Sequence, residues 1–395
     1  MKELIGRWLE LLKTGPIIAG LLVVVAVAAL QFSAIPGFDR LGLMVFDSYQ
    51  KAAPRAYQDA GVRIIDIDEE SVERLGQWPW SRTEIARLTQ RLSDAGAAAI
   101  AFDMVFSEPD RTSPAQIAAR LPEGESTTDL ISSLSGLPDN DEILADSFAL
   151  APVVGGFFLL HEDRGDPVEL PTGMAVLGSS PSDQVEQYQG TVQSLQKLRQ
   201  ASAGLGSLSI VGDADGILRR APLIFLYKDK LLPSLSLEAL RVAQQAGSIL
   251  VKTSDGSGET AGAPGAIVNL RVGVFEVPTT AAGELWMHFS EPAPQRTIPA
   301  WKFLSGEMSE EEIGAAVEGQ IVFIGASATG LRDLISTPLN ENEPGVTVHA
   351  QAAEQMILGE FLTRPDWAPG MEFFLILLLG GGLALLLPGA GATIG

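Results

Sequence analysis

The sequence has no cysteine and three histidines among 395 residues. Disulfides and thiolate metal sites are therefore excluded, and the imidazoles are too sparse for HExxH-type or zinc-finger spacing. Positive charge is also scarce, with Lys+Arg 27 against Asp+Glu 49 and a formal net charge of −22. A surface that acidic repels phosphate, which excludes nucleic acid as a partner and disfavours broad contact with anionic lipid. GxxxxGK[ST] and GxSxG are both absent, and no EF-hand spacing is present. No internal repeat or low-complexity tract is found.

Two long apolar runs are present. Residues 15–32 (GPIIAGLLVVVAVAALQF) carry no charge and reach across the ~30 Å hydrocarbon layer as a helix. Lys2, Arg7 and Lys13 precede this run, so residues 1–14 read as a cytoplasmic lead. The alternative is a cleaved signal peptide with Ala26-Val27-Ala28 at the cleavage site. Residues 370–388 form the second run, with Trp367 at its outer interface and Gly380-Gly381-Gly382 allowing a neighbouring helix to come close. Two spans place both ends in the cytoplasm and residues 36–366 outside it. Residues 389–395 read as the truncated start of a following membrane or cytoplasmic part.

Between the runs the pattern predicts an α/β fold: a parallel-core sheet with flanking helices and a β-rich insertion, held by two transmembrane helices. Apolar stretches at 62–68, 97–106, 152–160 and 320–326 read as buried strands. Helices are predicted at 81–95 (Ser81 cap, Glu84 closing a capping box), 141–150, 184–200, 234–246, 301–304, 309–317 and 351–359. Residues 107–140 and the Gly/Ser/Thr-rich 251–265 read as loops, 208–227 as a β-hairpin turning at Asp213-Ala-Asp-Gly216, and 266–290 as further strands. After Pro36-Gly37, Phe38, Leu41, Met44 and Val45 fall at a helical period. This helix, with Phe38, Leu41 and Val45, and the segment ending at Trp367 are candidates for passing motion to the spans.

In open parallel sheets, ligands sit beyond the carboxyl ends of the strands. Those ends carry Asp66 and Asp68, Asp103, and Ser327, while the loops add Trp80, Arg82, Asp333 and His349. If the strands at 62–68, 97–106 and 320–326 are neighbours, these eight residues converge as ligand-binding candidates. Each also has a structural use: Asp68 and Asp103 as caps, Arg82 as partner of Asp68 or Asp103, His349 as a core histidine. No metal site and no catalytic set is assigned, with one alternative. Ile64-Ile65-Asp66-Ile67-Asp68 resembles the Asp-x-Asp nucleophile motif of haloacid-dehalogenase-type phosphatases, although no Asp-Asp pair follows a later strand.

The blocks Phe46-Asp47, IIDIDEESVERLGQWPWSR (64–82), AAIAFDMVFSEPD (98–110), DADGILRR (213–220), IVFIGASATGLRD (321–333), TPL (337–339) and PGVTVHA (344–350) together resemble the second class of CHASE-type extracellular sensor domain. The resemblance implies a bacterial receptor in the inner membrane, multi-pass, with a large periplasmic or extracellular domain. It implies an output that this chain does not contain, foremost a class III adenylate or guanylate cyclase, otherwise a histidine or Ser/Thr kinase or a diguanylate cyclase. It also implies a homodimer, because class III cyclase sites form between two chains. No cofactor is expected in this chain; magnesium or manganese and ATP or GTP belong to the output. The ligand is an unknown extracytoplasmic molecule. A sensor that only assembles its output, with no ligand, is the remaining alternative.

Overall fold

The computed structural model describes residues 15, 17–29, 36–122, 124–256, 263–331, 333–364 and 367–390, without the side chains of 36–39, 125–126 and 387–390. The predicted lead (1–14), residues 30–32 of the first apolar run, the Phe38 side chain and residues 391–395 lie outside the described residues. The chain divides into two units, residues 50–362 and the two ends, 1–49 with 363–395.

The larger unit is built on one sheet. Its strands are β1 (Val62–Ile67), β2 (Ala99–Phe102), β3 (Val153–Leu160), β4 (Gly190–Gln193), β5 (Gly204–Ser207), β6 (Thr297–Pro299) and β7 (Ile321–Ala326). They lie in the order β6-β1-β7-β2-β3-β4, with β5 also paired to β3. Every pairing is parallel except β3 with β4. Parallel strands need both faces covered, and side chains alternate between those faces. Ile64, Ala101 and Phe323 join one core with helices α5 (Leu235–Ala243) and α8 (Gly345–Leu358). Ile65, Ile67, Ile100, Phe102, Val322 and Ile324 join the other, against α3 (Arg82–Asp94), α4 (Asn140–Ala149), α6 (Ala300–Leu304) and α7 (Glu310–Val317). Burying one such Ile or Phe contributes about 1.5–3 kcal/mol, so the two cores hold this sandwich together.

The predicted strands and most helices are found, within a few residues at their ends. Several differences have identifiable causes. A helix not anticipated, α2 (Glu69–Leu75), follows β1 directly, because Asp68 caps it by accepting from the Ser71 N–H at 2.7 Å. Ser81 does cap α3, accepting from the Thr83 N–H, but Glu84 pairs with Arg87 instead of closing a capping box. Residues 107–140 hold two helices, Pro114–Ala118 and Glu125–Ser135. The helix expected over 184–200 is instead a strand at Gln187–Tyr188, then β4, and a helix confined to Gln196–Ala201. The Asp213–Gly216 turn closes as expected, with the Gly216 N–H donating to Asp213 O at 2.7 Å. Its arms do not pair with each other, however: Arg220–Pro222 pairs with Glu284–Trp286. The expected loop at 251–265 begins as the end of strand Ile249–Thr253, and the helix expected over 351–359 starts six residues earlier, at Gly345.

Two small sheets, Gln187–Tyr188 with Ile224–Tyr227 and Lys230–Pro233, and Met174–Leu177 with Ile249–Thr253, Ile267–Val272 and Phe275–Pro278, form the β-rich insertion.

In the smaller unit, Ala368–Leu386 is a 19-residue apolar helix long enough to cross a membrane, with a π-turn at Ile376–Gly380. It is the one such helix among the described residues; the described part of the first run, Ile17–Ala29, rises only about 20 Å. A Cβ on Gly20 would lie 2.8 Å from Ala384 Cβ, and one on Gly380 would lie 2.7 Å from Val24 Cγ2. Glycine there lets the two helices approach closely. Helix α1 (Pro36–Ala52) exposes Leu41, Met44, Val45 and Tyr49, and Trp367 is exposed at the start of the last helix.

Candidate functional site

β7 lies between β1 and β2, so the strand ends that carry the candidate residues are adjacent. The register fixes their arrangement. Asp66 stands level with Gly325, and Phe102 with Ile324, so Asp103 follows level with Gly325 on its other side. The Asp103 N–H continues the ladder by donating to Ile324 O at 2.8 Å. By alternation, Asp66, Gly325 and Asp103 all face α8. They form a row across three strands, with the two aspartates roughly 10 Å apart at the usual strand spacing. Gly325 is glycine because α8 crosses here: a Cβ would sit 2.5 Å from Val346 Cβ.

At one end of the row, Asp66 is held. Its Oδ1 accepts from the Ser327 N–H at 3.0 Å and its Oδ2 from the Ser327 hydroxyl at 2.6 Å. Burial raises its pKa, the Ser327 hydrogen bonds oppose that rise, and the neighbouring Asp68 charge adds to it. Glu69 Oε1 accepts from the Thr329 N–H at 2.8 Å, so two carboxylates tie the loop after β7 back onto β1. Asp68, engaged as the cap of α2, does not join Asp66 in a shared site.

At the other end the polar groups are not matched. His349, in the first turns of α8, is buried to 4 % exposure. Its Nε2 has no hydrogen-bond partner among the described residues and stands 3.9 Å from Asp103 Oδ1. Burial lowers the His349 pKa to about 4, opposed by a hydrogen bond to the Leu208 backbone. Burial raises the Asp103 pKa to about 7, and the Asp333 charge pushes the same way. No described residue hydrogen-bonds to the Asp103 carboxyl. The N-terminus of α8 lies close by, since a Cβ on Gly345 would be 3.8 Å from Asp103 Oδ2. Its dipole favours the anion by about 0.3–1 kcal/mol, too little to cancel a shift of that size. At neutral pH the pair is thus an uncharged imidazole facing a carboxyl close to its midpoint. The arrangement can exchange a proton, or accept a ligand that supplies the missing hydrogen bonds. Asp333 is exposed at the rim, and its backbone carbonyl accepts from the Gly345 N–H at 3.0 Å.

Two candidates stand elsewhere, and two expected loop positions are helical. Arg82 and His349 lie in α3 and α8, not in loops. Arg82 pairs with neither Asp68 nor Asp103. It lies over the Phe106 ring, its Nε 3.3 Å from Asp141 Oδ1, and its N–H donates to Asp110 Oδ2 at 2.8 Å. Burial raises the Asp110 pKa, but the N–H groups of Arg82 and Thr112 and the Asn140 amide prevail and lower it to about 2. Trp80 is packed in the core, edge-on to Trp78 at 5.3 Å across the cis Trp78–Pro79 bond, with Nε1 donating to Gly76 O. Asp213 and Asp215 pair with the fully buried Arg219.

A second polar centre was not anticipated. Glu354 of α8 lies between Arg55 (2.7 Å) and Arg296 (2.6 Å), all three side chains at most 3 % exposed. The only trace in the sequence is the run His349-Ala-Gln-Ala-Ala-Glu-Gln355, in which small residues alternate with polar ones on a helix that is otherwise core. Among the described residues, no group of three or more His, Asp or Glu is placed to hold a metal ion.

The described residues thus include a three-layer α/β domain with polar residues along its strand ends and, in the other unit, one apolar helix of membrane-crossing length. The chain belongs to the CHASE2 domain family, whose model matches residues 20–386. CHASE2 domains are extracellular sensor domains of signalling proteins. No curated protein and no solved structure shows significant similarity to the chain.

Proposed function

We propose that this chain is the sensor and membrane part of a dimeric bacterial receptor, and that its unit 50–362 reads the extracytoplasmic medium. A ligand binds at Asp103 and His349, with Asp333 at the rim, and shifts the unit between two packings. It can do so only by its differential affinity for the two. The shift governs a class III nucleotide cyclase carried elsewhere on the receptor, and magnesium or manganese with ATP or GTP serves that output. Both apolar helices cross the inner membrane and leave the chain ends in the cytoplasm. The length of Ala368–Leu386 and the close approach of Gly20 to Ala384 support this arrangement.

The observation that carries the reading is the partnerless Nε2 of a buried histidine facing a half-buried carboxyl. A buried polar atom without a partner costs about 1–3 kcal/mol, and a ligand that supplies the missing hydrogen bond recovers that cost. The test is thermal melting of the full chain in detergent against a panel of ions, nucleotides and small metabolites. A ligand at about 100 times its dissociation constant adds about 2.7 kcal/mol. A shift that disappears in Asp103→Asn and His349→Leu supports the reading. A panel without any shift, or a shift both variants retain, refutes it and favours a module that only assembles its output.

A further inference from the structure

Helix α8 carries a second set of contacts one turn beyond His349. They fall on the extended stretch Trp286–Ser290, and they fall on its backbone. Gln355 Nε2 donates to Trp286 O at 2.7 Å, and its Oε1 accepts from the His288 N–H at 2.9 Å. Gln351 Oε1 accepts from the Ser290 N–H at 2.8 Å. The opposite edge of the same stretch is held in the same way from another helix. Gln50 Nε2 donates to Met287 O at 2.7 Å, and its Oε1 accepts from the Phe289 N–H at 3.3 Å. An extended chain presents its N–H and C=O groups alternately to its two sides. Residues 286, 288 and 290 are therefore bonded to α8, and 287 and 289 to Gln50. Each glutamine amide takes the place of a neighbouring strand.

Gln50 is buried to 3 % and sits in the last turn of α1. Arg55 reinforces the clamp just after it: its N–H donates to Phe289 O at 2.9 Å, its Nε to His288 O at 3.1 Å, and its Nη2 reaches Glu354. Arg296 adds a bond from Nη2 to the Ser290 hydroxyl at 2.7 Å while holding Glu354. Hydrogen bonds of this geometry are lost within roughly half an ångström to an ångström of stretch. A movement of α8 by even one residue's rise, about 1.5 Å, must carry the stretch with it or break the clamp.

We propose that Trp286–Ser290, clamped by Gln355 and Gln351 on one side and Gln50 on the other, is the element through which displacement of α8 at the strand-end site reaches helix α1. This rests on the reading of Asp103 and His349 as that site. Transmission runs through the buried amide of Gln50 at the end of α1, rather than through its exposed apolar positions Leu41 and Val45.

The test is hydrogen exchange on the full chain in lipid nanodiscs, with the amides of α3 as the measure of an intact fold. Gln355→Met keeps the side chain's length and removes both of its bonds. It should speed exchange at His288, its direct partner, and also at Phe289, whose acceptor is Gln50, by about tenfold. Gln50→Met should in turn speed His288, because coupling is reciprocal. If Gln355→Met frees His288 and leaves Phe289 at its original rate, the two clamps are independent and the proposal is overturned. If that variant loses protection in α3, Gln351→Met, which removes the acceptor of the Ser290 N–H, replaces it, with faster exchange at Ser290 and at Phe289 expected and a change at Ser290 alone overturning the proposal. Asp103→Asn then tests the link to the site. Altered exchange at 345–350 and at Phe289 supports the whole path. Altered exchange at 345–350 alone overturns the path and leaves the site reading standing. No change at either place overturns both.

Discussion

Asp103→Asn should make this protein more stable at alkaline pH and leave it nearly unchanged in acid. The Asp103 side chain is 17 % exposed, and burial with the Asp333 charge raises its pKa from 3.8 to about 7. Each unit corresponds to 1.36 kcal/mol of preference for the protonated form, which gives about 4 kcal/mol; rearrangement of the site around the charge reduces this to about 2–4 kcal/mol. The folded value lies above the unfolded one. The stability contributed by the protonated carboxyl is therefore complete below about 3.8 and is lost as pH rises through about 7. Asparagine has nearly the same shape and no charge to bury. Melting of the full chain in detergent at pH 5, 6.5 and 8 should show the variant gaining on the wild type as pH rises, by about 3–6 °C at pH 8. An equal difference between variant and wild type at pH 5 and pH 8 would refute the reasoning, because a packing change alone carries no such pH dependence.

Asp333→Asn removes the second influence on Asp103 and should move the midpoint of that pH dependence downward, a change visible in the same melting series. His349 titrates in the opposite sense. Its folded pKa falls from 6.5 to about 4, so the stability of its neutral form is present above 6.5 and lost as pH falls through 4. His349→Leu should remove that acid sensitivity, measured as a smaller loss of melting temperature between pH 7 and pH 4. Glu354→Gln leaves two buried guanidinium groups without their carboxylate and should cost about 3–5 kcal/mol in urea denaturation, with an unchanged m-value.

The sheet and its two cores were legible because apolar runs of strand length, separated by capped helices, admit few other architectures. The row Asp66, Gly325, Asp103 was half legible. Each residue ends or follows a visible strand, but only the insertion of β7 between β1 and β2 makes them neighbours. Partners chosen at a distance were not legible. Nothing near Arg82 in the sequence points to Asp141, and nothing near the Asp213 turn shows that Arg220–Pro222 pairs with Glu284–Trp286. The start of α8 was missed for a different reason. Gly345-Val-Thr-Val carries a glycine and β-branched residues, poor helix formers, and burial against β7 outweighs that preference. Gln50, Gln351 and Gln355 were missed because an uncharged amide on a helix reads as a solvated face. Here each amide is spent on the backbone of a stretch remote in sequence.

The Arg55–Glu354–Arg296 centre constrains how this protein can evolve. Side chains from three separate parts of the chain meet here, two guanidinium groups sharing one carboxylate in a place water does not reach. Replacing Glu354 strands two guanidinium charges in the interior, while replacing either arginine leaves the carboxylate one partner, so the intermediate sequences that lose Glu354 first are the unstable ones. Lineages of this domain should keep the three residues together or exchange them as a set for apolar ones. A homologue carrying only one or two of them would be expected to hold α8 by other means.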